Sequence, residues 1–531
     1  MSKQYLSAAL GGLCLFLAGC GGSATAPSGM RQESGGRAAP ADSGDMAKKM
    51  SPPASPNEAN PNKAKQESYA PITENAFKAV MDAPLSTFSA DVNTAAYSNV
   101  RRYLNQGQLP PRDAVFLAEM VNYFPYRYPN AKGDAPVSLT LDMAACPWKP
   151  DHKLVRIGLR AKTIEPTEMP RRNFVFLVDV SGSMQPENRL PLVQKSLEYL
   201  IDQLTPQDKV SIVTYASGSE VKLKPTGGDQ KETIRSAVRS LKAGGGTHGE
   251  GGIKLAYQVA RGSFIEGGAN RVILCTDGDF NLGQTSESEL QQLVEKERIS
   301  RVFLTVLGYG IGNLKNQTLE LLANHGNGHY AYIDSQEEAR KVFVEQGGAL
   351  VCVAKDVKLQ VEFNPKKVGA YRLLGYENRL LAAEDFKNDA KDAGEMGSGH
   401  TVTALYEVVP VGVKIEIPGV DPLKYQTPPQ PAGNSDEWLT VKMRYKAPEG
   451  DASKEMAAPL PAGAEAKPVN EDFAFAAAVA EFALVLRDSP YKGSANIADV
   501  LKRAEASSTH DPNGHRKEFV ELVKKATAAQ K

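Results

Sequence analysis

The sequence predicts an α/β protein, a doubly wound and mostly parallel sheet with a flanking β-sandwich and a C-terminal helical region. Three observations predict it. Phe174–Val178 is an unbroken apolar run rich in β-branched and aromatic residues, as in a strand buried on both faces. From there to residue 347, strand-like and helix-like patterns alternate, which implies a parallel sheet with crossover helices. After Gly348 successive strand-like runs take over, and helical spacing returns at Phe473.

The central strand ends at Asp179, which opens an Asp-x-Ser-x-Ser stretch with Ser181 and Ser183. Gly182 allows a sharp turn there. Pro191–Leu204 then shows helical apolar spacing. One carboxylate and two hydroxyls therefore leave the C-terminal end of a central strand, the edge where open α/β sheets bind ligands. Such oxygens suit a hard divalent cation but fill only part of an octahedral shell. Thr247, in the glycine-rich loop Gly244–Thr247, and Asp277, after the strand Arg271–Thr276, are the further oxygen donors.

The remaining α/β elements follow in order. Strand Lys209–Ala216 precedes an edge strand, Glu220–Lys224, expected to be antiparallel. Helices Gln230–Leu241 and Gly251–Arg261 flank the glycine loop. Helix Glu287–Glu297, strand Val302–Gly308, helix Lys315–Ala323, strand Gly328–Ile333 and helix Gln336–Gly347 complete the unit. Gly308-Tyr-Gly-Ile-Gly312 lacks the third spaced glycine of a dinucleotide loop and reads as a strand-to-helix turn, so no nucleotide is expected.

Around this unit, Pro136–Met143 and Leu154–Ala161 alternate like half-buried strands. Leu350–Ala354, Val357–Phe363, Ala370–Leu374, Thr401–Val409 and Trp438–Tyr445 are expected to pair with them, which makes the α/β unit an insertion in a β module. Asn75–Val80 reads as a short helix and Ala114–Tyr123 as a longer one with Asp113 as N-cap. Ala447–Val469 is Ala/Pro-rich and reads as a linker. Phe473–Leu486, Asn496–Ala504 and Gly514–Ala526 read as helices, and Glu481 argues against a membrane span. The domain plan is 1–19 signal peptide, 20–70 tether, 71–135 N-terminal helical module and 136–170 β segment. It continues with 171–349 α/β domain, 350–446 β-sandwich, 447–469 linker and 470–531 C-terminal helical module.

Composition sets the outer limits. At 531 residues roughly two to four domains are expected. Basic and acidic residues balance at 62 each, which argues against a nucleic-acid binder. Lys3 followed by the apolar Leu6–Ala18 reads as a signal peptide, too short for a membrane span. Residues 21–70 are poor in large apolar side chains and read as a flexible tether of roughly 40 Å mean span. Cys146, Cys275 and Cys352 remain after the N-terminal region, an odd number that implies no disulfide framework; a Cys146–Cys352 bridge stays open.

Asp179, Ser181, Ser183, Thr247 and Asp277, in that order and spacing, resemble a von Willebrand factor A (VWA) domain with an intact metal-ion-dependent adhesion site. The flanks resemble bacterial YfbK-like VWA lipoproteins. Ser86-Thr-Phe-Ser-Ala-Asp-Val-Asn-Thr-Ala-Ala-Tyr97 and Leu109-Pro-Pro-Arg-Asp113 match that family before the VWA domain. Leu486-Arg-Asp-Ser-Pro-Tyr491 and Asp511-Pro-x-Gly514 match it afterwards, while Val115-Phe-Leu-Ala118 replaces a more charged family version. Leu17-Ala18-Gly19-Cys20 resembles the bacterial lipobox, which implies cleavage before Cys20 and lipid on its thiol and amine. Gly21 in place of Asp favours an outer-membrane address, facing the periplasm or the exterior, if the host is Gram-negative.

The resemblance implies a divalent cation, Mg²⁺ by default with Mn²⁺ or Ca²⁺ as alternatives, held by the five residues. It also implies a protein partner whose Asp or Glu carboxylate completes the shell. Neutral hydroxyls leave positive charge on the cation, which favours that carboxylate. His248 and Glu250 either tune the rim or are solvated loop side chains, and Asp279 either hydrogen-bonds near the site or caps the next turn. An enzyme is disfavoured, because Ser181 and Ser183 lie in no Gly-x-Ser-x-Gly elbow and no HExxH occurs. The alternatives are a scaffold lipoprotein with a vestigial metal site and a metal-assisted hydrolase.

Overall fold

The computed structural model describes residues 69, 71–278, 287–310, 316–391, 393–417 and 435–530. These lie in one compact unit, Asn60–Lys531. The signal peptide, Cys20, all of the tether but residue 69, and Asp279 lie outside the described residues.

The chain begins with β1 (Lys78–Ala79), β2 (Leu85–Ser89), α1 (Ala95–Asn105), α2 (Leu117–Asn122), β3 (Val137–Ala145) and β4 (Lys153–Ala161). The α/β unit follows: β5 (Arg172–Asp179), α3 (Leu190–Asp202), β6 (Lys209–Tyr215), β7 (Ser219–Gly227), α4 (Lys231–Arg239) and α5 (Gly249–Gly262). It continues with β8 (Ala269–Thr276), α6 (Glu287–Ile299), β9 (Phe303–Tyr309), α7 (Asn316–His325), β10 (Tyr330–Ile333) and α8 (Gln336–Arg340). The chain then forms β11 (Cys352–Phe363), β12 (Val368–Leu374), β13 (Leu380–Leu381), β14 (Gly394–Gly397), β15 (Thr401–Pro410), β16 (Leu439–Lys446) and β17 (Ser453–Leu460). It ends in α9 (Glu471–Leu486), α10 (Ile497–Ala506) and α11 (His515–Ala529).

The α/β sheet has the order β10-β9-β8-β5-β6-β7. Every pairing is parallel except β6–β7, where the antiparallel strand closes the edge. β5 and β8 are buried on both faces, which explains their unbroken apolar runs. One face packs on α3, with Leu197, Leu200 and Ile201 in its core; the other packs on α5, with Ile253, Ala256 and Tyr257. Because β6 and β8 flank β5 on opposite sides, the chain reverses direction across the sheet at β5. A crevice opens at the C-terminal ends of strands at such a reversal.

This unit is inserted between β4 and β11 of a β-sandwich. One sheet has the order β1-β12-β15-β4-β3, and the other β13-β2-β11-β16-β17 with β14 also on β11. Val155, Ile157 and Leu159 of β4 face Leu359 and Val361 of β11 in their shared core. Helices from both ends of the chain form the third body. α1 and α2 pack with α9, α10 and α11 around Tyr97, Phe124, Phe475 and Phe519. α9 is apolar on all sides and buried along most of its length, as suits the central helix of a bundle. No helix among the described residues is long and apolar enough to cross a membrane.

Several boundaries differ from the sequence reading. Residues 71–135 are not a helical module alone, because β1 and β2 belong to the sandwich. The expected helix Asn75–Val80 is extended: Asn75 donates from Nδ2 to the carbonyls of Leu373 and Gly375, at 3.1 and 2.8 Å, and pins the segment beside β12. The helix Ala114–Tyr123 is interrupted at Val115 (φ −98, ψ 84), which separates a 3₁₀ turn, Arg112–Ala114, from α2. Asp113 instead accepts the Ile72 amide at 3.0 Å. The supposed linker 447–469 contains β17, paired with β16 from Ser453 to Leu460. β17 is an edge strand, so Pro459 is tolerated and its exposed side chains can be small and polar. Residues 470–531 are not a separate module, since α9 and α11 share their core with α1 and α2. Cys146 and Cys352 are both free thiols.

Candidate metal site

Asp179 ends β5 and Asp277 follows β8, so two adjacent parallel strands deliver carboxylates to the same sheet edge. Asp179 is fully buried and Asp277 is 1% exposed. The Asp179 Oδ1 accepts the Ser181 amide at 2.8 Å, and this bond folds the Asp-x-Ser-x-Ser loop back on itself. Thr276 approaches the other oxygen with its hydroxyl at 3.5 Å. Burial pushes the Asp179 carboxyl up to about 6; Asp277 adds to this, and the Ser181 hydrogen bonds oppose it. Among the described residues no Lys or Arg pairs with Asp179.

The Ser181 and Ser183 hydroxyls stand 2.9 Å apart. Adjacent oxygens around an octahedral cation with ~2.1 Å bonds are about 3 Å apart, so this pair fits one edge of such a shell. The glycine loop is tied to them through backbone: Gly182 N–H donates to Gly245 O at 3.0 Å and Gly244 N–H to Val180 O at 2.8 Å. Gly245 has φ +86, and a Cβ there would lie 2.8 Å from the Ser217 hydroxyl. The loop brings half-buried Thr247 to the same end of the sheet, just before α5. A buried carboxylate without a basic partner, beside neutral hydroxyls, is a donor set that fits a small divalent cation. Among the described residues no cluster of three His, Cys, Asp or Glu side chains is arranged for a metal. This site would depend on hydroxyls instead.

The rim residues are placed less centrally. His248 is exposed at the start of α5. Glu250 pairs with Lys254 at 2.5 Å along the same helix. Neither makes a bond to Asp179, Ser181 or Ser183.

Sequence reasoning missed Arg189. Its Nη1 donates to Asp277 Oδ2 at 2.5 Å and to the Ser183 carbonyl at 2.7 Å. Arg189 immediately precedes α3. A cation at a helix N-terminus opposes the helix dipole, and that was the available signal that it had an acidic partner. The side chain passes over Gly310 (φ +82), where a Cβ would lie 2.5 Å from Nε. The glycine-rich stretch after β9 therefore makes room for Arg189, and its residues 311 and 312 lie outside the described residues.

Comparison with known proteins adds a second line. The von Willebrand factor type A domain family matches residues 173–346, and a family described as von Willebrand factor matches 63–156. A family described as "Uncharacterized protein YfbK, C-terminal" matches 348–529. Uncharacterized protein YfbK of Escherichia coli (strain K12) is 41% identical over 479 residues, covering 88% of this chain and 82% of that protein. Human inter-alpha-trypsin inhibitor heavy chain H4 is 29% identical over 192 residues, which cover 35% of this chain and 19% of that protein. The solved structure of a von Willebrand factor type A protein from Catenulispora acidiphila aligns with TM-score 0.41 at 17% identity, covering 75% of this chain and 92% of that one. That likeness is too distant to carry an argument.

Proposed function

Because the chain belongs to the YfbK-like family of von Willebrand factor type A domain proteins, we propose that it is a non-catalytic adaptor. In this reading its VWA domain binds a divalent cation and, through it, a carboxylate of a protein partner. Asp179, Ser181, Ser183 and Thr247 would hold the cation, with Asp277 beside it. Mg²⁺ is the default choice, with Mn²⁺ or Ca²⁺ as alternatives. When bound, the cation supplies positive charge that three neutral hydroxyls do not cancel, and an incoming Asp or Glu would complete its shell. The lipobox-like Cys20 would tether the protein to the cell envelope, with the outer membrane favoured.

The observation that carries this reading is the buried Asp179 carboxylate, without a basic partner, beside two hydroxyls 2.9 Å apart. The rival reading, a scaffold with a vestigial site, is favoured by one observation: Arg189 already supplies a cation to Asp277.

A thermal melt of the full chain separates the two. After chelation, adding Mg²⁺, Mn²⁺ or Ca²⁺ at ~100 times its dissociation constant should stabilise the fold by about 2.7 kcal/mol. Asp179→Asn and Ser183→Ala should each remove the shift while circular dichroism shows the fold retained. A peptide containing Asp should then bind the wild type only with the cation present. No shift with any of the three cations in the millimolar range would overturn the reading in favour of the scaffold.

A further inference from the structure

A cleft of about 540 Å³ lies where the sandwich, the helical bundle and the chain returning from the α/β unit meet, on residues distinct from those of the metal site. Its volume is in the range of small-ligand sites. Arg160, near the end of β4, and His400, at the turn before β15, both line it. The β4–β15 ladder, in which Arg160 pairs in register with Thr401, puts both at the same end of the sheet.

The basic groups of this cleft differ in one respect. Arg127 and Arg516 both bond Asp472, and His515 bonds Glu345 at 2.8 Å. Arg160 has no carboxylate partner among the described residues. Among the described residues its guanidinium makes one bond, from Nη1 to the Tyr128 carbonyl at 2.8 Å, and its Nε is buried with no partner. The His400 Nδ1 is also buried with no partner. A guanidinium drawn partly out of water without a counter-charge is costly, and its planar fork matches a two-oxygen anion. An imidazole nitrogen can supply or accept one further hydrogen bond.

We infer that this cleft binds a carboxylate, seated on Arg160 and His400 and carried by a small acid or by the C-terminus of a peptide. The charge count favours a singly charged head group over phosphate. Among the described residues only one cation of the cleft is unmatched, and Glu345 and Asp511 on the wall would repel a second negative charge. Burial, with help from neighbouring His329, pushes the His400 imidazole down to about 3, so it stays neutral and adds no second cation. The cleft also touches both connections of the inserted α/β unit, Thr163 on the way in and Glu345–Ala349 on the way out. An occupant would therefore touch both connections of that unit at once.

Isothermal titration of the full chain with butyrate, with tri-alanine and with tri-alanine amide tests this. Saturable binding of butyrate, of free-acid tri-alanine or of both supports the assignment, and which one binds identifies the source. The amide should not bind. Arg160→Gln should weaken binding at least tenfold and Arg160→Lys less, with both variants melting as folded chains; His400→Ala provides a second, milder loss. Failure of both acids to bind, equal binding by Arg160→Gln, or binding of inorganic phosphate in preference to both acids would overturn it.

Discussion

Arg189 and Asp277 form an ion pair at 2.5 Å at the edge of the candidate metal site, with the carboxylate fully buried and the guanidinium 12% exposed. The fold thus places a fixed positive charge beside the carboxylate that a bound divalent cation would also face. Like charges repel by more than about 1 kcal/mol at these separations even at an effective dielectric near 20. Arg189→Gln should therefore raise cation affinity, by about tenfold or more, in a calorimetric titration with Mn²⁺. Reduced affinity would mean that Arg189 serves to hold Asp277 in place for the metal.

Gly310→Ala offers the same test without touching a charge. A Cβ at this position falls 2.5 Å from Arg189 Nε, and φ +82 is strained for alanine. The side chain of Arg189 must move away, so the variant should shift cation affinity in the same direction as Arg189→Gln. It should also lower the melting temperature of the metal-free protein. Unchanged affinity with a lowered melt would show that Arg189 can re-form its bond to Asp277 by another route.

Arg101 ties the N-terminal helices to two other parts of the fold, the end of the α/β unit and the last helix. From α1 it bonds Asp334 after β10, Glu338 of α8 at 2.8 Å and Glu518 of α11 at 3.3 Å. It is 4% exposed. Breaking a buried pair by removing one partner typically costs about 3–5 kcal/mol, because the other charge stays buried and uncompensated. Arg101→Met should destabilise the chain by an amount of that order in urea denaturation. Arg101→Met combined with Glu338→Leu should recover part of the loss, and no recovery would show that packing rather than charge sets the cost.

The α/β core was legible because its signals are local. FVFLV in β5 and the Asp-x-Ser-x-Ser stretch after it each lie within a few residues. The nested architecture was less legible because its partners are distant in the chain. Phe88 of β2 pairs with Leu359 of β11, and nothing near Phe88 announces that partner. Asn75–Val80 resembled a helix until the carbonyls of Leu373 and Gly375, some 300 residues away, bound Asn75. β17 was hidden by its Ala and Pro content, since an edge strand needs little apolar surface. Among the candidate site residues, the ligand-type side chains could be read from the motif. Arg189 was missed because its partner Asp277 lies 88 residues further along the chain, and only its place just before α3 hinted at an acidic partner.

Gly252 marks where α5 sits closest to the sheet. A Cβ on it would meet Tyr215 Cβ at 2.9 Å and Leu177 Cδ1 at 3.1 Å, both in the packed core. Tyr215 Cβ cannot swing aside as a side-chain tip can. Gly252→Val should cost about 1–3 kcal/mol through overpacking. Since α5 begins two residues after Thr247, the same variant should also weaken cation binding. Loss of stability with intact affinity would separate the helix from the site.

Glu119 of α2 is 8% exposed and accepts the Ala96 amide at 2.8 Å. Burial pushes its carboxyl up to about 8; nearby Glu320 and Asp91 add to this, while the Ala96 amide and Arg379 oppose it. The folded chain therefore keeps a proton that the unfolded chain, titrating near ~4.3, has released. Between these two values the folded state binds more protons, so this group makes stability fall as pH rises. Its contribution levels off above about 8, where both states are ionised and the folded state carries a buried charge. Glu119→Gln keeps an acceptor for the Ala96 amide and removes the ionisation. It should melt like the wild type at pH 5 and several degrees higher at pH 8.5. A variant that melts lower at pH 8.5 would show that Glu119 is ionised and held by Arg379 at neutral pH, with the opposite sign of pH dependence.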